Sequence, residues 1–281
     1  MIDVILRAAL RGRGDGIGRL PLGADEQHAA ASGDGVAHGD ERLMQLVGTG
    51  DQPLLAALSR AHGGAIHDVR RPHVGRPIAA RRAMGAGAMV VLTVGSDCNV
   101  GKMTAALELH GALAARGHRV VFVATGQTGI LIAGSGVPVD AVVSDFVAGA
   151  VEHAVLEAAR GADVVIVEGQ GTIHHPAYSA VSLGLLHGAC PEAMVFCHEA
   201  GREHIRIGDP ASAPVIGPLR PLLDDHERVA GWMRPARVLG VALNTRALDD
   251  AAAARAVAET AAATGLPTTD PVRHGAAALA D

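Results

Sequence analysis

The residue with the clearest chemical implication is Lys102, the only lysine among 281 residues. It follows the segment GSDCNVG at residues 95–101, and a helical pattern leaves directly after it. All the other residues counted as lysine or arginine are arginine. Position 102 therefore requires a compact ammonium rather than a planar guanidinium. An apolar strand, a glycine turn, a lysine and a helix in this order are typical of a phosphate-binding loop.

This loop departs from the commonest spacing. Five residues, Ser96 to Val100, separate the two glycines, one more than usual. Met103 stands where the magnesium-binding hydroxyl normally follows the lysine, and a hydroxyl comes only at Thr104. The predicted coenzyme contacts of the loop are Gly95, Asp97, Cys98, Asn99, Val100, Gly101, Lys102, Met103 and Thr104, and no residue is predicted to bind a metal.

Polar side chains follow later apolar runs of the chain. Glu168 ends the run VVIVE and is predicted to act as a general base or to hold Mg²⁺ through water, the alternative being a helix cap. Two adjacent histidines come next, of which His175 is the candidate proton acceptor, and Tyr178 is a candidate substrate contact. Neighbouring side chains point in opposite directions, so at most one of the two histidines is expected to work.

The densest polar cluster is CHEAGREHIR at residues 197–206. His198 is predicted to accept a proton, and Arg202 with Arg206 is predicted to clamp a substrate carboxylate. The alternative for Arg202 is a surface residue that pairs with Glu199 or Glu203. Further contacts are predicted after two other apolar runs, where the alternatives are a flexible connection and a turn: Gln127 and Thr128 for the substrate, and Asn244 for a nucleobase edge.

The elements that must position these residues begin at Met89. Strands are predicted at 89–95, 119–125, 163–169, 193–199 and 237–244, with helices at 102–116, 139–160 and 248–264 and a glycine-rich turn at 125–136. Continuous Val and Ile runs indicate strands buried on both faces, hence an α/β fold with a mostly parallel sheet flanked by helices. Ligands bind beyond the carboxyl ends of such strands, where the candidate residues lie.

The composition of the chain excludes several classes of function. With 2% aromatic residues and a net charge of −5, the chain lacks the basic, aromatic surface of a general nucleic-acid binder. No apolar run reaches about 18 residues, so no membrane partner is expected. The three cysteines, Cys98, Cys190 and Cys197, show no metal-binding spacing, and a reducing cytoplasm is expected. The expected partners are a small-molecule substrate and further copies of the chain.

Two motifs, GSDCNVGK at 95–102 and VVIVEGQG at 164–171, resemble the dethiobiotin synthetase and cobyrinate amidase branch of P-loop proteins, in which an Asn also follows a strand near the C-terminus, as Asn244 does here. A denser resemblance runs from about residue 89 to the end. The segments TVGSDCNVGKMT, VATGQTGILIAG, VEGQGTIHHPAYS, LGLLHG, CHEAGR, ALNT and TDPVRHG are similar to the D-glutamate N-acetyltransferase-like P-loop family, which also reads Gly-Lys-Met-Thr.

The resemblance implies a P-loop NTPase-like domain at 89–281. That family carries a complete Rossmann-like domain before it, so residues 1–88 are expected to be a truncated remnant with a linker. The implied reaction is acetyl transfer from acetyl-CoA to the amine of D-glutamate or a related amino acid, with Glu168, His175 and His198 as base candidates. The alternatives are an ATP- and Mg²⁺-dependent ligase or kinase of the dethiobiotin type and a non-catalytic nucleotide-binding regulator.

Overall fold

The computed structural model describes residues 69–70, 75 and 77–281. Within these residues the strands are β1 (Met89–Gly95), β2 (Val120–Val123), β3 (Val164–Val167), β4 (Ala193–Glu199), β5 (Arg237–Asn244) and β6 (Thr268–Thr269). They run parallel and form one sheet in the order β2-β3-β1-β4-β5-β6. The carboxyl end of β1, where the predicted phosphate loop begins, therefore lies between those of β3 and β4.

Helices connect successive strands and cover both faces of the sheet. They are α1 (Lys102–Ala115), α2 (Gln127–Ala133), α3 (Val147–Ala158), α4 (Ser179–Ala189), α5 (Leu219–Ala230), α6 (Asp250–Thr264), α7 (Pro271–His274) and α8 (Ala277–Ala280). Alternate residues of β1 point to opposite faces: Leu92 packs with the buried side chains of α3, α4 and α5, and Val91 packs with those of α1 and α8. None of the helices described is both long and apolar enough to cross a bilayer.

The parallel sheet and its strands confirm the predicted fold class, and β1, β4 and β5 have the predicted bounds. One predicted helix and one predicted turn were wrong. The predicted helix at 139–160 begins only at Val147, because Val142 is extended and the residues before α3 form two short 3₁₀ turns, at Val139–Ala141 and Ser144–Phe146. The predicted glycine-rich turn at 125–136 contains α2, whose ends are set by extended Gly126 and left-handed Gly134.

The segment directly before β1 packs against α3. Buried Glu152 of α3 accepts hydrogen bonds from the backbone N–H groups of Ala80 and Arg82, at 3.1 and 2.5 Å. A Cβ on Gly149 would lie 1.8 Å from the carbonyl oxygen of Pro77, so this close packing requires glycine. The end of the predicted linker is thus part of the folded domain, whereas the remnant predicted for residues 1–88 lies largely outside the described residues.

Candidate functional site

The loop after β1 has the backbone of a phosphate-binding turn. Asn99 and Gly101 both adopt positive φ, at 55° and 106°, and α1 begins at Lys102. A Cβ on Gly95 would lie 2.6 Å from the carbonyl oxygen of Cys197 in β4, which explains the glycine at the start of the turn. The N–H groups of the first helical turn have no intrahelical acceptor, so they are available to an anion.

The ammonium of Lys102 folds back over this loop. Its Nζ donates a hydrogen bond to the carbonyl oxygen of Asp97 at 2.6 Å, and the side chain is buried. Burial lowers the pKa of Lys102 below its ordinary value, while Cys197, Cys98, Asp97 and Glu168 act in the opposite direction. A bound phosphate would restore a negative partner to this desolvated ammonium.

A cleft of about 750 Å³ opens beyond the carboxyl ends of the strands. This volume falls within the usual range for small-molecule sites. Its lining consists of Cys98, Asn99, Val100, Gly101, Lys102, Met103, Thr104, Ala105, Glu168, Gly169, Gln170, Gly171, Arg206, Ala242, Asn244, Arg246, Asp270, Pro271, Val272 and Arg273. Four cationic side chains line the cleft against two carboxylates, so the cleft favours an anionic ligand even though the whole chain is acidic.

Glu168 is the base candidate that lies inside the cleft. Its Oε2 accepts hydrogen bonds from the backbone N–H groups of Thr125 at 2.9 Å and Gly126 at 3.2 Å, directly before α2. Burial raises the pKa of Glu168, although these hydrogen bonds and Lys102 oppose the shift. A carboxylate with a raised pKa in a cleft suits proton transfer near neutral pH.

The residues after Glu168 bring β1 and β3 into close contact. The Gly169 N–H donates to the hydroxyl of Thr93 at 2.9 Å, and a Cβ on Gly169 would lie only 1.7 Å from the carbonyl oxygen of Thr93. The Gln170 amide donates to the hydroxyl of Thr125 at 3.0 Å, and this hydroxyl donates to the Glu168 carbonyl oxygen at 2.7 Å. Glu168 is therefore held by contacts from two neighbouring strands.

Asp97 does not line the cleft. It is fully buried, and its Oδ2 accepts a hydrogen bond from the Arg202 guanidinium at 2.9 Å and from the backbone N–H of Arg206 at 2.8 Å. Arg202 also donates to the Cys98 carbonyl oxygen at 2.8 Å and forms an ion pair with Glu199. The structure shows the predicted ion pair with Glu199 but buries the Arg202 side chain, so its prediction as a surface residue was wrong. A contact with substrate would require these internal bonds to break.

The sequence predicted that Arg202 and Arg206 would both bind substrate, but of the two only Arg206 lines the cleft. Its exposed side chain lines the cleft, and its guanidinium has no ion-pair partner among the described residues. Its backbone is fixed, because the N–H bonds to Asp97 and the carbonyl oxygen accepts from His175 Nε2 at 3.1 Å. A fixed backbone and a free guanidinium fit the capture of a substrate carboxylate.

The two histidine base candidates lie outside the cleft lining. His175 is buried, with Nδ1 accepting from the Ala177 N–H at 3.0 Å and Nε2 bonded to Arg206, so both ring nitrogens are engaged. His198 Nδ1 lies 2.8 Å from the Ser96 hydroxyl, and burial, with Arg202 nearby, lowers its pKa to about 4. His198 is therefore neutral at pH 7. The contacts made by His175 and His198 do not favour either histidine over Glu168 as the base.

The remaining substrate candidates also lie away from the cleft lining. Gln127 donates to Asp140 at 2.8 Å, and Thr128 is exposed on α2. Tyr178 is half-exposed and packs on His175, with ring centroids 4.4 Å apart. Asn244 does line the cleft, and its Oδ1 accepts the N–H of Arg246 at 3.1 Å.

Four cleft residues with polar side chains were not predicted from the sequence: Gln170, Arg246, Asp270 and Arg273. The segment TDPVRHG contains two of them, and its density of polar residues next to a glycine was the available signal. Asp270 caps α7 and accepts from Thr245; burial alone would raise its pKa, but these hydrogen bonds hold it below its ordinary value. Arg273 is tied to Asp250 and to the Leu248 carbonyl oxygen.

Potential metal-ligand atoms of Asp97, Cys98 and His175 lie within 4.8 Å of one another, although the sequence predicted no metal-binding residue. The carboxylate oxygens of Asp97 accept hydrogen bonds from Cys98, Arg202 and Arg206, and both ring nitrogens of His175 are engaged. A cation at this cluster would have to displace hydrogen bonds that the protein already makes, and it would face the Arg202 guanidinium.

Comparison with known proteins places this cleft in a family. A model described as the P-loop domain of a domain of unknown function, DUF1611_C, matches residues 77–280. A protein of Tritonibacter scottomollicae named D-glutamate N-acetyltransferase is 41% identical over 82% of this chain, and one of the same name from Pseudoalteromonas is 37% identical over 79%. The chain spans 68% and 65% of the lengths of these two relatives.

A solved structure agrees with these sequence relatives. The crystal structure of a DUF1611 family protein from Anabaena variabilis is 39% identical, with a TM-score of 0.79 over 90% of this chain and 77% of that one. The residues matched by the family model, 77–280, include the phosphate loop, the parallel sheet and the cleft. The chain therefore belongs to the DUF1611 P-loop domain family.

Proposed function

We propose that this protein is an N-acetyltransferase that moves an acetyl group from acetyl-CoA to the amine of D-glutamate or a closely related amino acid. The observation that carries the proposal is a single cleft lined by both the phosphate loop and Glu168, in a chain 41% identical to a protein named D-glutamate N-acetyltransferase. The phosphate loop supplies an anchor for a coenzyme, and Glu168 supplies a base beside it.

The donor is proposed to bind through its phosphates. Coenzyme A carries a diphosphate and a ribose phosphate, and Lys102 with the N–H groups of the loop can hold a diphosphate as such loops do. Acyl transfer involves no phosphoryl group in transit, so the chemistry does not demand the magnesium-binding hydroxyl that Met103 replaces. Turnover is accordingly expected to persist in EDTA.

The acceptor is proposed to bind between Arg206 and Glu168. The free guanidinium of Arg206 matches an amino-acid carboxylate, and Glu168 accepts a proton from the ammonium so that its nitrogen becomes nucleophilic. The amine nitrogen then bonds to the acetyl carbon, the carbon–sulfur bond of the thioester breaks, and the thiol of the coenzyme leaves with the second proton. N–H groups near the loop would stabilise the oxyanion that forms on the way.

The experiment combines ligand binding with turnover. Thermal unfolding is followed with acetyl-CoA, CoA, ATP, and ATP with Mg²⁺, and thiol release is followed with D-glutamate and L-glutamate as acceptors. A ligand at 100 times its Kd stabilises by about 2.7 kcal/mol. The expected results are a shift with acetyl-CoA, thiol release that requires an amino-acid acceptor, and loss of the binding shift in Lys102→Ala. An unchanged shift in Lys102→Ala would refute the phosphate-loop assignment.

One observation favours a second candidate, an ATP- and Mg²⁺-dependent ligase or kinase. Glu168 directly follows β3 and interacts electrostatically with Lys102, and a metal-holding acid is found at such a position in phosphoryl-transfer enzymes. Magnesium-dependent release of ADP, abolished by EDTA, would support this candidate over the acetyltransferase. Ligand binding without any turnover would instead support a regulatory nucleotide-binding protein.

A further inference from the structure

A network of three consecutive ion pairs runs from the phosphate loop to the rim of the cleft. Asp97 pairs with Arg202, Arg202 pairs with Glu199, and Glu199 Oε1 lies 3.3 Å from a guanidinium nitrogen of Arg246. The side chains grow steadily more exposed along it, from 0% for Asp97 through 8% and 13% to 69% for Arg246. This ion-pair network therefore connects the exposed Arg246 guanidinium to the buried Asp97 carboxylate of the loop.

Arg246 is the residue of this ion-pair network that lines the cleft. Its backbone N–H is held by the Asn244 side chain, and Glu199 is its ion-pair partner among the described residues. The other oxygen of Glu199 is committed to Arg202. A guanidinium has five N–H donors, so one partner at 3.3 Å leaves most of them available to an anion.

The order of the strands separates Arg246 from the proposed acetyl-transfer site. Glu168 follows β3 on one side of the phosphate loop, and Arg246 follows β5, two strands away on the other side. With strands about 4.8 Å apart, β5 lies roughly 10 Å from β1. Arg206 lies in the segment after β4, the strand between β1 and β5, and its backbone contacts the loop and His175. Arg246 is thus placed to contact a second anionic group of a ligand whose diphosphate lies in the loop.

We propose that Arg246 binds the ribose 3′-phosphate of coenzyme A and thereby selects this coenzyme over ligands that carry only the diphosphate. The inference rests on the proposed acetyl-CoA-dependent function, because a phosphate monoester on the ribose is what distinguishes coenzyme A from its 3′-dephospho form and from ADP. Glu199 positions the guanidinium by holding one edge of it, which leaves the other edge for the phosphate.

The test compares acetyl-CoA with acetyl-3′-dephospho-CoA on the full chain, by titration calorimetry and by KM. The wild-type protein is expected to bind acetyl-CoA about tenfold more tightly, the effect of one charge-assisted contact. Arg246→Gln should remove this difference by weakening acetyl-CoA alone, and Arg246→Lys should retain part of it. Arg228→Gln is the matched control, since this arginine is 71% exposed, has a similar ion pair with Asp225 and does not line the cleft.

The outcomes separate this inference from the proposed function. If acetyl-CoA binds through Lys102 but Arg246→Gln keeps the tenfold preference, or weakens both coenzymes equally, the 3′-phosphate assignment is wrong and the proposed function stands. If neither coenzyme binds the wild-type protein, both proposals fail together. Loss of the preference in Arg228→Gln as well would show a general effect of surface charge and would also refute the assignment.

Discussion

The Arg202 guanidinium lies 2.9 Å from the Asp97 carboxylate, with both side chains buried behind the phosphate loop. This pair ties the loop after β1 to the segment after β4. It explains why a loop with an additional residue between its glycines keeps a defined shape, since the carboxylate of that loop is fixed from outside by a guanidinium and by the Arg206 backbone.

Arg202→Leu is expected to destabilise the protein by about 3–5 kcal/mol, because it leaves the buried Asp97 carboxylate without its cation and removes one of the two ion pairs of Glu199. Arg206→Leu is the comparison, and its exposed side chain should change stability by no more than about 0.5 kcal/mol while raising the KM for the acceptor roughly tenfold. Chemical denaturation and steady-state kinetics measure the two effects. A stable Arg202→Leu protein with only a raised acceptor KM would return Arg202 to the role of substrate clamp.

Glu168→Gln is expected to lower kcat/KM about 100-fold or more, because an amide cannot accept the proton of the acceptor ammonium. The same variant should be more thermally stable than wild type at neutral pH. The folded-state pKa of Glu168 is raised above its ordinary value of 4.5 by burial, so ionisation of this carboxyl opposes folding as pH rises through the folded-state pKa.

The gain in melting temperature should therefore disappear below pH 4.5, where the carboxyl is protonated in both states. Glu157→Gln on α3 serves as the control, because this carboxylate is 45% exposed and pairs with Arg160 away from the cleft. Full activity in Glu168→Gln would exclude Glu168 as the base and direct attention back to His175 and His198.

Buried His226 is expected to make folding stability depend on pH. Burial lowers its pKa from 6.5 to about 4, and its Nδ1 lies 2.7 Å from the Leu222 carbonyl oxygen. The unfolded chain binds a proton at this residue before the folded chain does, so stability is full above pH 6.5 and falls as pH drops towards 4. The shift corresponds to about 3 kcal/mol across that window.

The measurement is the free energy of unfolding of wild type and of His226→Gln at several pH values. The difference between the two proteins should shrink as pH falls from 6.5 to 4. His153→Gln, on an exposed position of α3, should run parallel to wild type. A pH-independent difference between wild type and His226→Gln would mean that His226 does not titrate as its burial implies.

Gly169→Ala is expected to destabilise the fold by about 3 kcal/mol and to weaken ligand binding. The added Cβ would lie 1.7 Å from the Thr93 carbonyl oxygen and 3.2 Å from Lys102 Cδ, so β1 and β3 would have to separate beside the phosphate loop. Gly111→Ala on α1 is the matched control, with no atom within 4 Å of its Cβ, and should gain about 0.5–1 kcal/mol. Thermal unfolding with and without acetyl-CoA measures both variants, and a neutral Gly169→Ala would contradict the close strand contact.

The sequence by itself determined the sheet and the phosphate loop. Uninterrupted apolar runs are typical of a parallel sheet buried on both faces, and the bounds predicted for β4 and β5 match the structure. Lys102 was identifiable because its chemistry depends on local spacing along a strand, a turn and a helix. Glu168 was identifiable because the end of a buried strand fixes which edge of the sheet it reaches.

The tertiary structure decided what depends on contacts between distant segments. Arg202 and Arg206 look equivalent in sequence, yet a buried carboxylate 105 positions away binds the Arg202 guanidinium, while that of Arg206 has no ion-pair partner in the part of the chain that the structure describes. Arg246 carries no local signature, and both Arg246 and Arg273 reach the cleft only because β5 and α7 fold beside the loop. Desolvation separates the base candidates in the same way: Glu168 lines the cleft with a raised pKa, while His198 lies behind it with a lowered one.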